Sequence, residues 1–128
     1  MTALFLWLNA AMYALFGLWC TLNPTQVMSF LGLGVAAPQG RLEFLAVYGG
    51  LQMGLAAFFT LGALDPRLSS TAVKLGLCLY AGIVAWRALA LIIYGMPDDK
   101  GILAVFALEI LLLVLACAAW FETRLSPP

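Results

Sequence analysis

Apolar residues along this chain come in four long runs, at about residues 3–22, 42–64, 72–94 and 102–121, separated by short polar breaks. Each run is close to the roughly 20 residues that an α-helix needs to cross a bilayer. The breaks carry turn chemistry: Asn23-Pro24, then Asp65-Pro66-Arg67, then Gly95-Met96-Pro97-Asp98-Asp99-Lys100-Gly101. Proline inside a helix costs a backbone hydrogen bond, so these positions read as stops rather than kinks. The longest connection, residues 23–41, has its own pattern. Val27, Met28, Phe30 and Leu31 interleave with Thr25, Gln26 and Ser29, and Gly32 and Gly34 then break the sequence. This predicts a short interfacial helix over about 24–34, with Pro24 in its first turn and a glycine stop. Such a segment is either an ordered cap over the bundle or a lid that admits a substrate. The expected fold is all-α: one domain, residues 1–128, forming a four-helix transmembrane bundle with that interfacial helix between spans 1 and 2. No internal repeat is visible.

Composition agrees with this reading. The chain has 128 residues, 65% of them hydrophobic and 9% charged, against roughly 25% charged in ordinary soluble domains. A chain this short has too much surface for its volume to hide that apolar area in one soluble core. Six Lys+Arg balance six Asp+Glu, which leaves no basic surface for a nucleic acid. The first run could pass for a signal peptide, but it lacks a leading Lys or Arg and exceeds a typical h-region, so it is expected to be retained.

The absence of histidine removes the usual haem and zinc ligand and the imidazole acid/base. Cys20, Cys78 and Cys117 lie far apart in apolar runs without a CxxC spacing, so they read as small buried hydrophobes. No metal, no cofactor and no catalytic residue is expected. Four spans place both termini on one side, with Arg67, Lys74 and Arg124; Arg41 and Lys100 lie on the other, beside Asp98 and Asp99. The excess of positive residues favours cytoplasmic termini by a margin of one.

Most charges sit at span ends, where long side chains reach water. Arg87 and Glu109 do not. Arg87 lies about seven residues before the end of the third run and Glu109 about seven after the start of the fourth. At 1.5 Å per residue both are roughly 10 Å below the same membrane face. An unpaired charge at a span centre costs about 2.5–3.5 kcal/mol, so the two are expected to pair on adjacent antiparallel helices. On a wheel of 100° per residue, Arg41, Tyr48 and Gln52 fall within about 40° on the second span. Gly76, Tyr80, Arg87 and Tyr94 share a face of the third, and Asn9, Tyr13 and Cys20 share a face of the first. This predicts a polar pocket lined by Tyr13, Tyr48, Gln52, Tyr80, Arg87 and Glu109; the alternative is a polar knot that only fixes helix register. On the opposite side of the second span, Ala46, Gly50, Gly54 and Ala57 form a small-residue stripe containing a GxxxG match. It serves either close packing within the bundle or contact with a second chain.

The segment Arg41-x-Glu43-Phe44-x-x-Val47-Tyr48-Gly49-Gly50-Leu51-Gln52-x-Gly54, followed by Gly82 with Arg87 and then Glu109, resembles the domain-of-unknown-function 4345 family of small bacterial four-span membrane proteins. In that family an Arg usually stands closer to Tyr-Gly-Gly than Arg41 does here. More distantly the layout is similar to DoxX-like proteins and to the four-helix scaffold of ergosterol biosynthesis. The resemblance implies a bacterial inner-membrane location and an accessory role near lipid or redox enzymes, an analogy of fold rather than of site. The sequence therefore points to a non-enzymatic membrane protein. Its expected partners are membrane lipid, a lipid, isoprenoid or quinone-like ligand, and a homodimer mate or partner membrane protein on the Gly50/Gly54 face. A membrane enzyme or proton-coupled carrier using Glu109 and Arg87 is the alternative. A carrier usually has more intramembrane titratable groups and interrupted, repeated helices.

Overall fold

A computed structural model describes residues 1–34, 37–98 and 100–125; Asp99 and the last residues of the tail, 126–128, lie outside them. The described residues form helices joined by short turns. These are α1 (Thr2–Leu22), α2 (Pro24–Phe30), α3 (Pro38–Phe44), a π-helical turn (Leu45–Gly50), α4 (Leu51–Leu64), α5 (Pro66–Tyr94) and α6 (Lys100–Leu125). Four stretches are long and apolar enough to cross a membrane: α1, the continuous run Pro38–Leu64, α5 and α6. The fold is an all-α bundle of a multi-pass membrane type. A belt of exposed large side chains supports that solvent, among them Leu4, Leu15, Trp86, Ile92 and Val114, positions that in water would carry charge.

The helix limits depart from the expected runs for local reasons. Proline ends a helix from within but starts one well, because its missing N–H would be unbonded at the first turn and its φ is preset. Accordingly Pro24, Pro38 and Pro66 each open a helix. The second span thus begins at Pro38 rather than 42, and the third at Pro66 rather than 72. One residue, Asp65, joins α4 to α5, and its carboxylate accepts from the Arg67 N–H at 2.9 Å, an N-cap that fixes the corner. Gly62 makes this corner possible, since a Cβ there would lie 2.4 Å from the Cβ of Ala72. The interfacial helix is present but shorter than expected. It stops at Phe30, and Gly32 takes a φ of 70°, a conformation that suits glycine.

Thr2 and Glu122 meet at one face of the bundle, here the terminal face, together with the α4–α5 corner; α2, α3 and residues 95–98 occupy the opposite, distal face. Helix α1 packs along α4 and the π turn and touches α5 and α6; α5 packs on α4 and α6. The terminal half is densely packed. Phe5, Leu6, Ala10, Ala56, Phe59, Ala72, Val73, Leu112, Ala116 and Ala119 make one core with Tyr13 and Tyr80. Its end is tied by Glu122, which accepts from the Thr2 N–H and the Thr2 hydroxyl, each at 2.6 Å.

The distal half divides. Cys20, Val27, Met28 and Phe44 form a separate cluster, with Phe16, Trp19, Leu31 and Tyr48 against it, so one face of α1 is there covered by α2, α3 and the π turn. The buried residues of α5 end at Tyr80, and those of α6 begin only at Leu112. Beyond those points α5 and α6 pack mainly on each other, and α3 and the π turn make no substantial contact with either. The bundle is closed at the terminal face and forked toward the distal face.

Candidate functional site

At the base of the fork, α1 and α5 are joined by polar side chains. Asn9 is fully buried. Its Nδ2 donates to the Phe5 carbonyl at 2.7 Å, and its Oδ1 accepts from the Tyr80 hydroxyl. Both polar atoms of that amide, which hydrocarbon would otherwise penalise, are therefore engaged. Tyr13 stacks on Phe59 with ring centroids 5.6 Å apart, and its hydroxyl neighbours that of Tyr80.

Arg87 and Glu109 meet as their depths require. The guanidinium straddles the carboxylate, with Nε 2.5 Å from Oε2 and Nη2 2.6 Å from Oε1. This is the two-pronged geometry that arginine makes better than lysine. The Glu109 side chain is 13% exposed and that of Arg87 32%, so the carboxylate lies on the inner side of the pair and the guanidinium on the outer. Arg87 lies two turns beyond Tyr80 on α5 and Glu109 about one turn before Leu112 on α6, so the ion pair is on the distal side of the tyrosine layer. Around the pair α5 and α6 pack mainly on each other, beyond the last buried residue of α5, Tyr80, and before the first of α6, Leu112. No acceptor among the described residues takes the Arg87 Nη1 group, which keeps two N–H donors.

The second span contributes less to this region than its wheel suggests. Tyr48 stacks on Phe44, centroids 4.9 Å apart, and belongs to the cluster under α2. Gln52 bends back, its Nε2 donating to the Val47 carbonyl at 3.4 Å, a group within the π turn. Its Cβ would lie 3.2 Å from a Cβ on Gly17, so it stands at the crossing with α1. Four of the six expected lining residues, Tyr13, Tyr80, Arg87 and Glu109, therefore form one region, and Tyr48 and Gln52 belong to another. Arg41 is exposed. A wheel reports which residues share a face of one helix but not which neighbour that face meets.

The small-residue stripe is also placed by that crossing. Ala46, Gly50, Gly54 and Ala57 are exposed, and a Cβ on Gly54 would meet nothing within 4 Å. The close approach inside the bundle uses Gly17 and Gly49 instead: a Cβ on Gly49 would lie 2.9 Å from the Thr21 hydroxyl. Of the two roles open to the stripe, packing within this chain is not the one it performs. Residues outside the expected site also carry interhelical bonds, among them Asn9 and Glu122. Asn9 is visible in the sequence as a polar position at mid-span; Glu122 gives no sign there, because its partner, Thr2, opens the first helix.

Shallow hollows lie at the two ends of the bundle. One, of about 800 Å³, is lined by Trp19, Leu22, Asn23, Pro24, Thr25, Gln26, Ser29 and Phe30. The other, of about 650 Å³, lies between Thr2, Pro66, Ser69, Ser70 and Glu122. Neither includes Arg87 or Glu109. Among the described residues no group of three or more His, Cys, Asp or Glu is placed to hold a metal ion. Comparison with protein-family models, with curated proteins and with solved structures finds no match.

Proposed function

We propose that this chain is a non-enzymatic membrane protein that holds the polar head of a lipid, isoprenoid or quinone-like molecule in the fork, against Arg87. One observation carries the reading: an Arg–Glu pair inside a bilayer-spanning hairpin, at the level where the helices part, with donors of the arginine left over. A polar group needed only for register would be enclosed, as Asn9 is. Interhelical polar contacts in membranes average only about 0.6 kcal/mol, a thin return for placing two charges in hydrocarbon. The forked shape gives the apolar body of such a ligand lateral access from the lipid.

The distant similarity to DoxX-like proteins and to the four-helix scaffold of ergosterol biosynthesis fits an accessory role, and a bacterial inner membrane with cytoplasmic termini is the location we propose. Cysteine accessibility at Arg67 and Lys100, measured from each side of intact cells, tests that orientation. The ligand reading is tested by native mass spectrometry of the detergent-purified chain. A retained lipid-like adduct is expected. Its loss is expected in the exchanged variant Arg87→Glu with Glu109→Arg, which keeps the pair but turns the outer group from donor to acceptor. A chain that always flies free of adducts, or an exchanged variant that retains them unchanged, leaves the pair as a register device.

A further inference from the structure

The charge state of the pair selects among heads that the fork could receive. Arg87 presents a guanidinium cation with five N–H donors and no acceptor, and Glu109 answers it through both carboxylate oxygens. The two together carry no net charge. An anionic head placed on the remaining Nη1 donors would therefore bring an uncompensated negative charge to a depth of roughly 10 Å, into a medium that stabilises it poorly. The inner carboxylate of Glu109 would also repel it. A neutral head with a carbonyl oxygen meets neither cost: it accepts the hydrogen bonds that Nη1 offers and adds no charge. A hydroxyl-only head could accept too, but its own proton would have to share the Glu109 oxygens with the arginine, whereas a carbonyl has no proton to place. Building on the ligand reading of the fork, we infer that the site is selective for an uncharged carbonyl-bearing amphiphile and discriminates against an anionic one. The source of the selectivity is Glu109, although the donor is Arg87.

This assignment makes Glu109 a specificity residue whose removal inverts preference rather than abolishing binding. In Glu109→Gln the arginine charge is unanswered, and an anion becomes the better partner. The experiment uses the full chain in lipid nanodiscs with three probes of equal chain length: methyl palmitate (a neutral ester), hexadecane-1-sulfonate (a permanent anion) and hexadecane. Competition against a fluorescent fatty ester gives apparent affinities. For the unaltered chain the ester should exceed the sulfonate by about tenfold or more, equal to about 1.4 kcal/mol, and the alkane should compete least. In Glu109→Gln the order of ester and sulfonate should reverse. A sulfonate preferred by the unaltered chain, or an alkane equal to the ester, overturns the inference while leaving an occupied fork. An unchanged ester preference in Glu109→Gln overturns the role of Glu109. If none of the three competes above empty nanodiscs, the ligand reading itself fails and the inference with it. The comparison within the unaltered chain does not depend on whether the variant folds.

Discussion

Tyr80 donates its hydroxyl to the Oδ1 of Asn9, joining two helices whose paired residues are 71 positions apart, in the last layer where all four spans are packed together. Terminal to this bond the core is apolar and continuous. Distal to it, α1 stays with α2, α3 and the π turn, while α5 departs with α6. Arg87 lies seven residues further along α5, about 10 Å at 1.5 Å per residue. The bond is thus the hinge point of the fork, and the ion pair lies just above it.

Tyr80→Phe should lower stability, because it leaves the Asn9 oxygen buried without a donor. Membrane hydrogen bonds of this kind couple by about 0.6 kcal/mol on average and up to about 1.7; full burial of both groups places this one in the upper part of that range. A double-mutant cycle with Asn9→Leu, read by unfolding in mixed micelles, should give a coupling of that size. Strict additivity would show that the bond does not hold α1 to α5.

Arg87→Ala should be far worse than the paired replacement of both charges by apolar residues. Alone it leaves the largely buried Glu109 carboxylate unanswered, a cost of about 2.5–3.5 kcal/mol on the insertion scale. Exchanging both residues should restore most of the folded yield, measured by size-exclusion chromatography after mild solubilisation. A single variant as stable as the unaltered chain would contradict the pairing.

Gly62→Ala and Gly54→Ala make the same chemical change at two glycines of one helix, and they should behave oppositely. At Gly62 the new methyl meets Ala72 at 2.4 Å, and overpacking of this kind costs about 1–3 kcal/mol. At Gly54 nothing is met, so the effect on the isolated chain should stay within about 0.5 kcal/mol. The thermal midpoint in detergent distinguishes them. Gly54→Leu, tested by cross-linking in native membranes, then asks whether the exposed stripe meets a second chain: less cross-linked dimer is expected if it does.

Cys78 and Cys20 should differ in reactivity. Cys78 is exposed on α5 and Cys20 is enclosed beneath α2. A small apolar thiol reagent should modify Cys78 first in detergent solution, with Cys20 reacting only after denaturation, as resolved by peptide mass mapping. Prompt labelling of Cys20 would mean that α2 does not cover it as a cap.

The interfacial segment shows how much local chemistry is legible in the sequence. Pro24, the alternating apolar residues and Gly32 predict a short helix with a glycine stop, and these signals act within one turn. Pro66 reads as a stop in the sequence, yet the ring that closes off one helix also starts the next. The candidate site is legible in part. Arg87 and Glu109 can be matched by counting residues from helix ends, since depth is proportional to position. Tyr48 and Gln52 cannot be assigned a neighbour in this way. The π turn that holds Tyr48 and precedes Gln52 inserts an extra residue, so the downstream positions are rotated relative to a regular wheel.

The amino-acid order by itself determined that the chain forms four long apolar helices, where the breaks between them fall, and that Arg87 and Glu109 stand level on neighbouring helices. These properties come from hydropathy and from the fixed rise of a helix, both of which are local. The tertiary structure alone decided that α5 and α6 part from α1 above Tyr80, that Asn9 rather than Tyr48 completes the polar layer, and that Gly17 and Gly49 rather than Gly50 and Gly54 bring two helices together. Those outcomes depend on which faces meet, and that choice is made by packing between segments distant in the chain.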